Sequence, residues 1–122
     1  MKTFWTLRNT IATLNCFVDT TIACLDMREL HSAIEGRYTS LSGEAHNLSV
    51  KQKRQQQVSE MASRRIDQVQ REVQRGLSEI ESNENLPMAE RRRYDDIITV
   101  YGELCTRIIR DCAQHAMSTA SD

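Results

Sequence analysis

The sequence predicts an all-α fold, an elongated antiparallel bundle of three long helices that dimerisation completes. Three observations lead to this fold class. Glycine and proline are scarce, with four and one among the 122 residues. Aromatic residues make up only 5% of the chain, whereas sheets are rich in aromatic and β-branched residues. Apolar residues recur at steps of three and four over long stretches, which is the spacing of one helix face.

Two short segments rich in turn-forming residues divide the chain, which we expect to form a single helical domain at 1–122. The segment 35–43 contains two glycines and several hydroxyl residues. The segment 82–87 ends in Pro87, a residue that is common in the first turn of a helix. Helices of the resulting lengths would each be about 45–55 Å long. We expect these helices at residues 3–34, 44–81 and 87–118.

The second and third predicted helices each have one apolar face. In the second, the steps between apolar positions form an eleven-residue repeat, which is typical of a nearly straight helix. Its members are Val58, Ala62, Ile66, Val69, Val73, Leu77 and Ile80. In the third, the apolar residues cover one broad arc. They are Tyr94, Ile97, Ile98, Tyr101, Leu104, Cys105, Ile108, Ile109, Cys112 and Ala116.

The first predicted helix differs because it is apolar on two nearly opposite sides. One stripe consists of Phe4, Leu7, Ile11, Leu14, Val18, Ile22 and Leu25, and the other of Trp5, Ala12, Cys16, Ala23, Met27, Leu30 and Ile34. Two partner helices with one face each cannot cover both stripes, so we expect a second chain to cover the remainder. The predicted interface residues are Trp5, Phe17, Met27, Leu30, Ile34, Tyr94 and Tyr101.

Four cysteines lie in two pairs, Cys16 with Cys24 and Cys105 with Cys112. If the first and third helices packed antiparallel, Cys16 could meet Cys112 and Cys24 could meet Cys105 in two disulfides. A metal or redox role is a further alternative. We favour reduced thiols in an apolar core, because the chain shows no secretion signal and small buried cysteines are common.

No arrangement of residues supports catalysis or a bound cofactor. Two small clusters at helical spacing are candidate metal ligands, but neither supplies the Glu-x-x-His motif that a di-iron bundle needs on two helices. These clusters are Glu29, His31 and Glu35, and Asp111, Cys112 and His115. We therefore expect no enzymatic activity, no metal and no cofactor.

The second helix carries a stripe of basic residues opposite its apolar face. It consists of Lys53, Arg64, Arg71 and Arg75. Acidic residues lie four positions from three of these, at Glu60, Asp67 and Glu79, so we expect most of the stripe to be neutralised within the helix. With a net charge of −1, the chain has no overall attraction for nucleic acid, and we expect nucleic-acid binding to be unlikely.

The function that these observations favour is a non-enzymatic helical protein–protein interaction module of the adaptor, regulator, inhibitor or secretion-chaperone type. It would bind another protein through apolar helix faces and would form a homodimer. The alternative is a small nucleic-acid-binding regulator that uses the basic stripe. Polar and charged residues interrupt the N-terminal segment, and no apolar run is long enough to span a membrane. We therefore expect a cytoplasmic protein without membrane contact.

Overall fold

A computed structural model shows three α-helices packed side by side, α1 (Lys2–Thr39), α2 (Glu44–Glu81) and α3 (Met88–Ser121). It describes the backbone of residues 2–39 and 44–121 and the side chains of residues 3–25 and 51–118. Within these ranges the chain contains no strand, and each helix contacts the other two. The all-α class and the three-helix bundle are confirmed. Completion of the bundle by a second chain stays a prediction.

The observed limits of α2 coincide with the predicted ones, whereas α1 extends five residues beyond its predicted end. It continues through Gly36, since one glycine costs a helix interior only about 1 kcal/mol relative to alanine. The α3 helix begins directly after Pro87, whose carbonyl accepts a hydrogen bond from the backbone N–H of Arg91 at 2.9 Å. Pro87 thus lies at the N-terminal end of α3, where a backbone N–H would have no partner within the helix and its absence costs nothing.

Neighbouring helices in the sequence run antiparallel. Near the start of α1, the Thr3 hydroxyl accepts a hydrogen bond from Asn83 Nδ2, just beyond the end of α2, at 2.7 Å. Near the start of α2, Gln55 Nε2 donates to the carbonyl of Met117, near the end of α3, at 3.5 Å. The chain therefore runs up, down and up, as short connections between long helices require.

The helices α1 and α3 consequently lie parallel, and they share the same height along the bundle. The Tyr101 hydroxyl of α3 donates a hydrogen bond to the side-chain carbonyl of Asn15 in α1. With Asn15 level with Tyr101, Cys112 lies about ten residues, or roughly 15 Å, further along the bundle than Cys16. The pairing of Cys16 with Cys112 depended on antiparallel packing of these two helices, and this premise was wrong.

The core contains side chains from all three helices along the axis of the bundle. Leu14 of α1 and Ile98 and Ile109 of α3 are completely buried, and Val69 and Ile80 of α2 are nearly so. The other buried apolar residues are Val18, Leu25, Val58, Met61, Ala62, Cys105, Ala113 and Ala116. All buried members of α2 except Met61 belong to the predicted eleven-residue repeat, so its apolar face packs as expected.

On α1 the buried side is rotated relative to the predicted stripe, because threonines occupy part of it. Thr10 and Thr21 are completely buried and Thr3 is nearly so, whereas Phe4 and Ile22, which we had assigned to the covered stripe, are exposed. The Thr21 hydroxyl donates to the Phe17 carbonyl of its own helix at 2.6 Å. With its hydroxyl satisfied locally, a buried threonine packs much as valine does.

Two glycines allow the helices to approach closely. A Cβ atom added at Gly76 of α2 would lie 2.8 Å from the hydroxyl oxygen of Thr10 and 3.4 Å from a methyl carbon of Ile98. A Cβ added at Gly102 of α3 would overlap a methyl group of Val73. Both glycines lie inside helices, so they serve here for their lack of a side chain.

Candidate protein-interaction site

Seven of the described large apolar side chains of α1 and α3 are exposed, and all of them except Met88 form what we call the α1/α3 apolar face. Its members are Phe4, Trp5 and Ile22 of α1 and Ile97, Val100 and Leu104 of α3. Val100 is the most exposed, at 63%, and Trp5 is 53% exposed. Isolated apolar residues on a surface need no explanation, but a contiguous group indicates an association surface.

The geometry of the parallel helices indicates that these residues are neighbours. On α1, Phe4 and Ile22 point about 80° away from the buried Leu14. They are rotated towards the side of α1 on which Asn15 contacts α3. On α3, Ile97 and Leu104 lie on the same side as Tyr101, which reaches towards α1. The apolar face therefore follows the outer groove between α1 and α3, on the side away from α2.

The N-terminal end of this face holds an aromatic cluster. The rings of Phe4 and Trp5 meet edge to face, with their centroids 6.2 Å apart. The guanidinium carbon of Arg8 lies 5.4 Å from the Trp5 ring centroid, at cation–π distance. Large aromatic side chains and arginine are the residues that most often dominate the binding energy of protein interfaces.

The predicted interface residues divide into three groups. Trp5 is exposed and lies in the apolar face. Tyr94 is half-buried, and both Phe17 and Tyr101 are half-buried against the core of their own chain. Tyr101 also bridges α3 to Asn15, so its hydroxyl is already engaged. The remaining three predicted residues lie outside the described side chains. They are Met27, Leu30 and Ile34.

Most of the face was missed by the sequence interpretation. Phe4, Ile22, Ile97 and Leu104 were assigned to covered stripes, and Val100 to none. The signal for Val100 was present, since Ile97, Val100 and Leu104 follow steps of three and four, but the broader apolar arc beside it obscured this second stripe.

A polar seam joins α1 to α2 and fixes their register. Besides the contact of Thr3 with Asn83, the Thr6 hydroxyl donates to a carboxylate oxygen of Glu79 at 3.1 Å. Arg75 donates to the hydroxyl of Thr10 at 3.4 Å. Since a shifted register would leave these groups without partners, the seam specifies how α1 lies on α2.

Arg75 belongs to this seam and is not available as a phosphate-binding residue. Its guanidinium is paired with Glu72 and Glu79, three residues before it and four after it. The hydrogen bond to Glu72 and the charges of both carboxylates raise the pKa of Arg75, although partial burial opposes this rise. The predicted pairing of Arg75 with Glu79 is confirmed.

The rest of the basic stripe differs from expectation. Lys53, Arg64 and Arg71 are exposed. The expected pairs of Arg64 with Glu60 and of Arg71 with Asp67 are absent from the ion pairs of the described side chains, so that prediction was wrong. Long surface side chains lose conformational entropy on pairing, and exposed i,i+4 pairs contribute only about 0.3–0.5 kcal/mol.

A polar groove of about 560 Å³ lies between α2 and α3, next to the close approach of Gly102 to Val73. Its charged lining residues are two acids, Glu103 and Asp111, and two bases, Arg107 and Arg110, so the charges balance. Glutamine and threonine side chains supply most of the remaining lining. This balance of charge gives the groove no preference for an anionic or a cationic ligand.

The four cysteines are free thiols in different environments. Cys105 is buried in the core, as expected, whereas Cys24 and Cys112 are half-buried and Cys16 is exposed. The prediction of core thiols therefore fails for Cys16, which points away from Leu14 on the outer side of α1. Within the part of the chain whose side chains are described, no three His, Cys, Asp or Glu residues come together as metal ligands.

These environments predict an order of thiol reactivity. We expect iodoacetamide to modify Cys16 first and Cys105 last, because burial shields the Cys105 thiol and raises its pKa, which reduces the reactive thiolate. Timed alkylation followed by peptide mass spectrometry measures the order. Modification of Cys105 as fast as Cys16 in the folded protein would contradict the core position of Cys105.

Comparisons with family models, with curated protein sequences and with solved structures find no match to this chain. Among the described residues, no helix combines the length and the apolar character that crossing a membrane requires.

Proposed function

We propose that this chain is a non-enzymatic helical protein-interaction module of the adaptor, regulator, inhibitor or secretion-chaperone type. It binds apolar helices of other chains, including a second copy of itself, through the α1/α3 apolar face. One observation carries the proposal: six large apolar side chains remain exposed on two adjacent helices whose own core is already filled. A groove between two helices suits an amphipathic helix of a partner.

The proposed location is the cytoplasm. Its support is the exposed free thiol of Cys16, because an oxidising compartment would expose such a thiol to mixed disulfides. The alternative function, nucleic-acid binding, is less well supported because Arg75 is engaged in the polar seam. Three exposed cations of the basic stripe remain, on a helix without exposed aromatic side chains among its described residues to stack on bases.

Replacing Trp5 and Val100 together with glutamate tests the proposed site. We expect the variant to remain folded, because both side chains are largely exposed, and to lose association by at least about tenfold in Kd, because two charges must be desolvated on binding. Light scattering across micromolar concentrations measures self-association, and circular dichroism checks the fold.

The matched control is Met88→Glu, since Met88 is 64% exposed but points about 180° away from Ile97 around α3, outside the face. The control should associate as the wild-type chain does. Equal association of the double variant and the wild type would show that the α1/α3 apolar face is not the binding site.

A further inference from the structure

Between residues 3 and 25, α1 carries only two charged side chains, and they have opposite signs. Arg8 and Asp19 are both exposed, and both point away from the core. Arg8 lies over the Trp5 ring, and neither Arg8 nor Asp19 takes part in an ion pair of the described side chains. An opposite charge on another molecule could therefore be bound at each position.

These two charges lie symmetrically along α1. Arg8 and Asp19 are equally far from the point midway between residues 13 and 14. Trp5 and Ile22 are also equally far from this point. Viewed down the helix axis, the mean direction of each pair lies about 130° from the direction of Leu14. Because Leu14 points into the core, this mean direction faces outward. A second α1 helix laid antiparallel on this side would bring Arg8 opposite Asp19 and Trp5 opposite Ile22, twice.

The exposed side of α3 repeats this arrangement. Its apolar stripe, Ile97, Val100 and Leu104, has Arg93 four residues before it and Asp111 seven residues after it, and both project about 20° from Val100 around the helix. Neither Arg93 nor Asp111 takes part in an ion pair of the described side chains. Because α1 and α3 are parallel and level, Arg8 and Arg93 lie at one end of the face and Asp19 and Asp111 lie towards the other, where Asp111 also borders the groove between α2 and α3.

We propose that the occupant of the α1/α3 apolar face is a second copy of this chain, bound antiparallel about a twofold axis. The axis passes close to Ala12 and Asn15 of α1 and Val100 of α3. Arg8 of each copy then pairs with Asp19 of the other, and the apolar stripes of α3 flank the two α1 helices. This inference rests on the proposed function, since it names the partner and the geometry of the same site.

Charge complementarity selects this occupant and this orientation. On the outer side of α1, Arg8 lies towards one end and Asp19 towards the other, so a reversed copy of α1 is complementary to it at both positions. A parallel copy would bring Arg8 against Arg8 and Asp19 against Asp19, and like charges brought together in an interface oppose binding. Ala12 near the proposed axis is small, which allows the two α1 helices to approach closely.

Two single charge reversals, Arg8→Asp and Asp19→Arg, test the proposed pairing. Alone, each variant should associate at least about tenfold more weakly than the wild type, because each creates two like-charge contacts. Mixed in equal amounts, they should recover association, because one copy then carries only acids and the other only bases at these positions. Sedimentation velocity measures the masses, and Arg64→Asp, an exposed reversal on α2, should behave as the wild type does.

The orientation is tested by mixing the wild-type chain with the double variant Arg8→Asp/Asp19→Arg, one of them carrying a fluorescent label. An antiparallel pairing predicts that the two chains form separate homodimers, because the mixed dimer contains like charges at all four positions. A parallel pairing predicts the mixed dimer. Exchange of label into mixed dimers would overturn the proposed orientation.

The outcomes separate this inference from the proposed function. If the wild type dimerises, Trp5→Glu/Val100→Glu abolishes dimerisation, and both single reversals associate normally, the Arg8–Asp19 pairing is wrong while the binding face stands. A wild type that stays monomeric up to about 100 μM, well above micromolar dissociation constants, would overturn the second copy as occupant. Capture of a different partner lost in Trp5→Glu/Val100→Glu would then still support the proposed function.

Discussion

Leu14→Ala should destabilise the folded chain by about 2–5 kcal/mol, which is a large part of the stability of a domain of this size. Leu14 is completely buried where α1 meets the other two helices, so removing three carbons from it loses their burial and leaves a cavity. The close-packed helices around it cannot move together without breaking the polar seam of Thr3, Thr6 and Thr10. Urea unfolding followed by circular dichroism measures the change.

Met88→Ala is the matched control, because it removes a side chain of similar volume from an exposed position outside the apolar face. Its effect should stay within about 0.5 kcal/mol. Equal midpoints for the two variants would contradict the position of Leu14 in the core.

The second large effect is expected at Gly102, where α3 crosses α2. Alanine is the better helix former by about 1 kcal/mol, so Gly102→Ala would stabilise an unconstrained helix. Here the added Cβ overlaps a methyl group of Val73, and valine in a helix is nearly confined to one rotamer. The two helices must therefore separate, and we expect a net destabilisation of about 1–3 kcal/mol.

A double-mutant cycle with Val73→Ala isolates this contact. Alanine at residue 73 lacks the methyl group that the new Cβ would overlap, so in this background Gly102→Ala should be neutral or stabilise by up to about 1 kcal/mol. A destabilisation of the same size in both backgrounds would show that the close approach of Gly102 to Val73 is not its cause.

The sequence predicted the helices well because their limits depend on local features. Pro87 accepts the first backbone hydrogen bond of α3, and the eleven-residue repeat of α2 supplies every buried apolar residue of that helix except Met61. Gly36 misled the prediction, since a single glycine weakens a helix without ending it.

The rotation of α1 could not be predicted from hydrophobic pattern alone. The hydroxyl groups of Thr10 and Thr21 exclude both residues from an apolar stripe, yet both are completely buried. Thr10 is buried because Arg75 of α2 donates a hydrogen bond to its hydroxyl and Gly76 of α2 leaves space for its side chain. Both features belong to α2, so the sequence of α1 does not show them. Burying the threonines turns Phe4 and Ile22 outward, and these are two of the six members of the apolar face.

The composition of the exposed apolar face was therefore predicted less well than its presence on α1. The surplus of apolar surface on α1 follows from counting stripes, and Trp5 was identified in this way. Which other residues accompany Trp5 depends on the parallel packing of α1 with α3, which places Ile97 and Leu104 between the levels of Phe4 and Ile22 along the bundle. Contacts of this kind join residues about 90 positions apart and leave no periodic signal in either helix.

The most direct test of the account is the fluorescence of Trp5 on dilution, because Trp5 is the only tryptophan and lies in the proposed interface. We expect its emission to shift to longer wavelength between about 50 μM and 50 nM protein, a range that spans common dimer affinities. The mass measured on the same samples should fall in parallel from twice the chain mass to 14.1 kDa. A constant emission spectrum with a mass of 14.1 kDa at every concentration would contradict self-association through the α1/α3 apolar face.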